Sequence, residues 1–269
     1  MSAVTISFGL QKGGVSKTTT STLSAFILAR QGYRVLVCDM DSQGNASQFL
    51  TNKSPYDFQG RTILEACKER NPEPYIVGIT ENLDLLPAED LLSTFSRWLF
   101  DEYKPELQRT GQVDPNALLL VLKQTLDAVR EKYDFIILDL PPNLGEQTLN
   151  GMAASDYCVV MAQSEPFAYD ALQRYLETLE HVQSRVNPNT KLAGILTTLL
   201  DARTALGNFI RDRIAEEYED LVFSTVIRRK SRVVEFSFEG ISDKTKADRE
   251  ALDMYESFVK ELTKRVNKG

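Results

Sequence analysis

The chain has 269 residues, 42% of them hydrophobic and 26% charged, and a formal net charge of -7. That composition is ordinary for a globular protein with enough apolar side chain for a large core, and the acid excess excludes a protein that coats nucleic acid by bulk electrostatics. Residues 1–200 hold 17 Lys/Arg against 24 Asp/Glu, whereas residues 201–269 hold 14 of each, which leaves room for a local basic patch in the last quarter.

Val4-Thr5-Ile6-Ser7-Phe8 reads as the first strand. A helix follows over 18–30, ending near Gly32, and a second strand over 34–38 puts Asp39 at its carboxyl end. Further strands are expected over 83–86, 135–138, 157–161 and 192–198, and helices over 114–131, 169–186, 206–218 and 247–266. The stretches 71–74 and 104–115 read as surface loops. Short apolar runs alternating with helical periods are the pattern of a parallel sheet covered by helices. The unbroken Phe-Ile-Ile-Leu run at 135–138 suits a strand buried on both faces. With no internal repeat and no linker, residues 1–269 are expected to form one α/β domain, a mostly parallel twisted sheet flanked by helices.

Cys38, Cys67 and Cys158 lie far apart, and His181 is the one histidine. No Cys/His spacing suits a metal, so reduced structural thiols are expected. His181 is expected on an exposed helix face, and Phe95, Trp98 and Leu99 in packing. The first ten residues lack a basic start and a long apolar run, and no 18-residue apolar stretch occurs, so a cytoplasmic protein is expected.

Gln11-Lys12-Gly13-Gly14-Val15-Ser16-Lys17-Thr18-Thr19 sits between the first strand and the first helix. Glycines there let successive N–H groups turn inward toward phosphate oxygens, and the helix dipole adds positive potential at the same spot. Lys17 would reach the β- and γ-phosphates, and the Thr18 hydroxyl would be a Mg²⁺ ligand. The usual pattern G-x-x-x-x-G-K-[ST] is broken at both outer glycine positions, by Gln11 and Ser16.

Lys-Gly-Gly-Val-x-Lys-Thr-Thr resembles the deviant phosphate-binding loop of the ParA/MinD group of P-loop ATPases. That resemblance implies a P-loop fold, ATP and Mg²⁺ as ligands, and a phosphate site made by Lys12, Gly13, Gly14, Val15, Ser16, Lys17, Thr18 and Thr19. It makes Lys12 a signature lysine that reaches the phosphates of a partner subunit in a nucleotide-sandwiched homodimer. The family more often has glycine where Ser16 stands, so a slightly strained turn is expected. Asp39-Met40-Asp41-Ser42-Gln43-Gly44-Asn45-Ala46 resembles the D-x-D-x-Q-G-N-A segment of the same group. By that resemblance Asp41 orients or deprotonates the attacking water and Asp39 organises the Mg²⁺ shell. Phe135-Ile136-Ile137-Leu138-Asp139 has the form of an apolar strand delivering a carboxylate beside the metal, which makes Asp139 the third Mg²⁺ residue with Thr18 and Asp39. The catalytic set is then Lys12, Lys17 and Asp41.

Leu200-Asp201-Ala202-Arg203 and Thr225-Val226-Ile227-Arg228-Arg229-Lys230-Ser231-Arg232 resemble segments that carry DNA-binding arginines in chromosome-partitioning members. Four of the five residues in 228–232 are basic, which suits sequence-independent contact with phosphate backbone. Arg203, Arg228, Arg229, Lys230 and Arg232 are the candidates. Ion pairing of these arginines with Glu235 and Glu239 is the competing reading. Arg228 replaces a proline usual in the family, in a loop that flanks the adenine.

The resemblance implies an ATP-dependent partition ATPase. Its ATP-bound dimer would bind DNA non-specifically, and so associate with the nucleoid, until a centromere-binding, ParB-like adaptor stimulates hydrolysis. The chain opens directly on the first strand, so no helix-turn-helix domain is expected before it. The alternative is a MinD-like ATPase positioned at a membrane by an amphipathic C-terminal helix. In 247–266 the stripe Tyr255, Val259, Leu262 and Val266 is interrupted by acids as well as bases, so packing on the domain is expected rather than a membrane partner.

Overall fold

The computed structural model describes residues 2–10, 16–111, 114–163, 168–199 and 205–266. Its strands are β1 (Val4–Gly9), β2 (Val35–Asp39), β3 (Val77–Thr80), β4 (Leu83–Leu86), β5 (Phe135–Asp139), β6 (Tyr157–Gln163), β7 (Lys191–Leu199) and β8 (Val222–Arg228). They lie in one sheet in the order β3-β4-β2-β5-β1-β6-β7-β8. Each pairing is parallel except that of β3 with β4. The expected α/β class holds.

Successive strand residues face opposite sides of a sheet, and the core divides accordingly. Val35 and Val37 of β2, with Phe135 and Ile137 of β5, join one apolar layer. Leu36 and Cys38, with Ile136 and Leu138, join the other. The first layer is closed by the helices Lys17–Arg30, Ala168–Arg185 and Lys246–Val266, the second by helical pieces between residues 63 and 127.

Three expectations are corrected. The stretch 104–115 is not a loop throughout: Phe95–Trp98, Leu99–Tyr103 and Lys104–Thr110 run on as one helical segment with a π turn at its centre. Phe95, Trp98 and Leu99 bury into the second layer, with Trp98 stacked on Tyr103 at 5.4 Å, so aromatic packing organises a segment that its polar residues disguise. The helix expected over 114–131 is broken into the turn Ala117–Leu119, the helix Val121–Asp127 and the turn Arg130–Lys132. At the first break the Asn150 side chain accepts from the Leu122 N–H (3.2 Å) and donates to the Leu118 carbonyl (3.0 Å), replacing helical bonds. The strands β3 and β8 were not expected at all. Both are edge strands, and β3 is short, carries Gly78 and has an irregular register.

Lys246–Val266 buries Tyr255, Val259, Leu262 and Val266 against the sheet, so the apolar stripe is used inside the domain. Its carboxylate Glu261 accepts from the Ser224 N–H (2.9 Å) and the Thr225 N–H (3.2 Å) of the edge strand β8. Arg265 donates to the carbonyls of Ala193 (3.0 Å) and Val222 (2.9 Å) and lies over the Phe223 ring. Gly194 (φ 151) makes room for it, since any Cβ there would overlap the Arg265 guanidinium. Among the described residues no helix is long and apolar enough to cross a membrane.

Candidate functional site

The centre of the sheet sets the chemistry. Asp39 ends β2 and Asp139 ends β5, and the register makes them direct neighbours. Both are fully buried. Asp39 accepts from the Ser47 N–H and hydroxyl, each at 2.8 Å, and from the Asp41 N–H at 3.1 Å. Asp139 accepts from the hydroxyls of Thr18 (2.7 Å) and Ser21 (3.0 Å), both on the helix Lys17–Arg30. Burial, and then the charge of Asp139, pushes the Asp39 carboxyl above the usual range. Burial also raises Asp139, against the pull of Thr18, Lys17 and Ser21. Lys17 is buried too; desolvation lowers it, while Asp139 and Asp41 act to keep its proton.

Ser16 precedes this helix in the left-handed region (φ 61), the conformation that favours glycine. The strain expected from a serine at this position is therefore present. Gly44 (φ 63) makes the equivalent turn before the helix Asn45–Thr51, and its N–H donates to the Asp41 carbonyl at 2.9 Å. Asp41 is half-buried, and its carboxylate accepts from the Gln43 N–H at 3.0 Å. Residues 11–15, which hold Lys12, Gly13, Gly14 and Val15, and residues 200–204, which hold Arg203, lie outside the described residues.

A cleft of about 770 Å³ runs across the carboxyl ends of the strands, from Ser16, Lys17, Thr18 and Thr19 past Asp41 to Arg228, Arg229 and Lys230. This is where α/β sheets bind ligands. A model of the AAA domain family matches residues 3–192. The chain is 36% identical to the sporulation initiation inhibitor protein Soj of Bacillus subtilis over 233 residues, 84% of each chain. It is 35% identical to the chromosome-partitioning ATPase Soj of Thermus thermophilus, over 86% of this chain and 83% of that one.

The chain belongs to the ParA/MinD-type ATPases of the AAA domain family.

A solved structure with the same architecture is cobyrinic acid a,c-diamide synthase from Mycobacterium smegmatis with bound ATP analog and magnesium. It is 29% identical at a TM-score of 0.82, over 99% of this chain and 96% of that one.

In this ParA/MinD-type chain the basic run 228–232 is divided. Arg228, Arg229 and Lys230 line the cleft itself, and the Lys230 ammonium donates to the Glu250 carbonyl. Arg232 is held by three carboxylates: Asp248 (2.7 Å), Glu235 (2.7 Å) and Glu239 (2.6 Å). The pairing with Glu235 and Glu239 that competed with a DNA role is therefore realised, with buried Asp248 added. Asp248 also caps its own helix, exchanging hydrogen bonds with Thr245 and accepting from Ser242 (2.8 Å). These contacts, foremost the Thr245 N–H, hold its carboxyl well below the usual range despite its desolvation.

Sequence reasoning missed Ser21 and Ser47, which finish the carboxylate shells. For Ser21 the available signal was the density of hydroxyls over 18–22, unusual in a helix interior; Thr18 and Ser21 among them reach Asp139.

Proposed function

We propose that this chain binds ATP with Mg²⁺ and hydrolyses it as a partition ATPase, working as one domain over residues 1–269. The observation that carries this reading is the β2–β5 register, which delivers buried Asp39 and Asp139 side by side behind Thr18 and Lys17, which line one end of the cleft. The donor set fits Mg²⁺. It is all hard oxygen, and two adjacent carboxyls that burial raises are a setting that a divalent charge suits. Thr18, Asp39 and Asp139 would hold the ion, directly or through water, and bound there it would neutralise charge developing on the transferred phosphoryl group.

Lys17 and the amino end of its helix bind the β- and γ-phosphates, with Ser16 and Thr19 beside them. Lys12, Gly13, Gly14 and Val15 complete the cradle. Asp41, half-buried in the cleft wall, orients the attacking water or takes its proton. Lys12 reaches the partner's phosphates in an ATP-dependent homodimer, a role supported by the family's signature loop.

The dimer binds DNA non-specifically and is released when a ParB-like adaptor stimulates hydrolysis, which makes it a nucleoid-bound protein of the cytoplasm while ATP lasts. The chromosome-partitioning relative and the even charge balance of residues 201–269 support this finer reading. Within the candidate set, Arg203 rests on resemblance. Arg228, Arg229 and Lys230 open onto the cleft, and Arg232 has its charge met by carboxylates. The membrane-positioning alternative loses its main support, because the stripe it needs is buried.

Binding to random-sequence duplex DNA, measured with ATP, with ADP and with Lys17→Ala plus ATP across a salt series, tests the proposal. Tight binding with ATP alone, weakened by salt and lost in the variant, is expected. Equal binding in all three conditions would rule the switch out.

A further inference from the structure

Tyr175 is one of the largest fully buried side chains, and among the described residues its hydroxyl meets no hydrogen-bond partner. A buried hydroxyl left unpaired destabilises the fold, and phenylalanine would fill the same space without that penalty.

The position of the hydroxyl suggests its use. Tyr175 belongs to the helix Ala168–Arg185, which packs on β6, and it reaches across to the end of β1. Ser7 pairs with Cys158 and Gly9 with Val160 in the β1–β6 register, so Ser7 and Gly9 share one face of the sheet. On that face the Ser7 hydroxyl donates to Cys158 Sγ at 3.2 Å. Gly9 leaves room for Tyr175: a Cβ there would overlap the hydroxyl and the ring carbon that bears it. The hydroxyl therefore rests directly on the Gly9 backbone, with no space between them for a bridging water. Gly9 closes β1, and Leu10 alone separates it from Gln11, where the phosphate loop begins.

A ligand favours one arrangement of a chain only through interactions that differ between arrangements. A donor that gains its partner when the exit of β1 shifts supplies such a difference, and the bond it makes stabilises the loop in its phosphate-holding form. We propose that Tyr175 is a positioning residue of the phosphate loop, its hydroxyl donating to a carbonyl of the Gly9–Leu10 backbone when the loop holds a nucleotide. The inference rests on nucleotide binding at that loop, as proposed above.

Binding of a fluorescent ATP analogue with Mg²⁺, and thermal unfolding without nucleotide, test it on the wild-type chain, Tyr175→Phe, Gly9→Ala, Gly9→Ala/Tyr175→Leu and Lys17→Ala. Tyr175→Phe keeps the ring and is expected to bind the analogue about three- to tenfold more weakly, the size of one buried hydrogen bond. Without nucleotide the same variant should melt roughly 2 to 4 °C higher, because an unpaired buried hydroxyl has gone. A residue that served packing alone would not move the two readouts in opposite directions. Gly9→Ala should lower both affinity and melting temperature. Adding Tyr175→Leu removes the overlapped atoms, so the melting temperature should recover while the affinity stays low. Tyr175→Phe stays informative if Gly9→Ala does not fold. An affinity for Tyr175→Phe within threefold of wild type, or a lower melting temperature in that variant, overturns the positioning role and leaves the ATPase reading standing. Full recovery of affinity in the double variant, which lacks the hydroxyl, overturns it equally. Failure of the wild-type chain to bind the analogue overturns both readings, and Lys17→Ala shows what that failure looks like.

Discussion

The two ends of the cleft are built by different means. At the phosphate end, Asp39 and Asp139 are set by three adjacent central strands, β2, β5 and β1, whose backbone register leaves their positions little freedom. At the other end, Arg228 and Arg229 follow from an edge strand that, among the described residues, pairs with β7 alone, with a shift in register. Side chains of the terminal helix supply the positioning that a second neighbour would have given: Glu261 and Arg265 on β8, and Asp248 on Arg232. Backbone hydrogen bonds thus do the aligning at one end, and a few side-chain contacts from the terminal helix do it at the other. Substitutions at the two ends should fail in different ways.

The largest separation is expected from Asp41→Ala. Loss of the group that handles the attacking water should lower stimulated ATP hydrolysis by about 10²- to 10⁴-fold, while a half-buried loop residue should leave thermal unfolding almost unchanged. Phosphate release and a melting curve on one preparation check both; hydrolysis within tenfold of wild type would remove Asp41 from the mechanism. The opposite signature is expected at the edge. Glu261→Ala strips acceptors from two backbone N–H groups and leaves Arg265 without its carboxylate, a loss of about 2 kcal/mol in urea unfolding. A change below about 0.5 kcal/mol would mean that β8 holds itself.

Asp248 gives the comparison a pH dependence. Its folded carboxyl titrates below the unfolded range, so the stability it contributes is complete above about pH 4 and declines as pH falls further. The gap in melting temperature between wild type and Asp248→Asn should accordingly be widest near neutrality and narrow in acid. A gap that widens on acidification would contradict the assignment. The smallest effect is at the phosphate loop, where Ser16→Gly relieves a left-handed serine. A net gain of under about 1 kcal/mol is expected, since glycine's freedom in the unfolded chain removes part of the benefit.

The same division explains what could be read from the sequence. The central strands announce themselves as unbroken apolar runs ending in Asp39 and Asp139, so the middle of the sheet and its two carboxylates were legible together, whereas Ser21, which bonds Asp139 from 118 positions away, was not. The edge was not legible either. β8 buries only Phe223 and Ile227 and is completed by partners 30 to 40 positions later, as Ser224 with Glu261 shows. The run 228–232 reads as one basic patch because charge is local in sequence, but its members are separated by a strand end and a helix start. Arg232 lies within reach of Asp248, Glu235 and Glu239, and its neighbours do not. The helical segment from Phe95 to Thr110 escaped because Trp98 and Tyr103, which hold it, stack across a π turn that no regular period describes.

The Glu261 contact has one more consequence. An open sheet flank offers unmet N–H groups on which another chain can dock a strand, the common route to edge-to-edge aggregation. Here a carboxylate of the same chain occupies the Ser224 and Thr225 N–H groups and brings a negative charge to the flank. The residue that steadies the cleft's far wall also makes this flank of the sheet a poor template for growth.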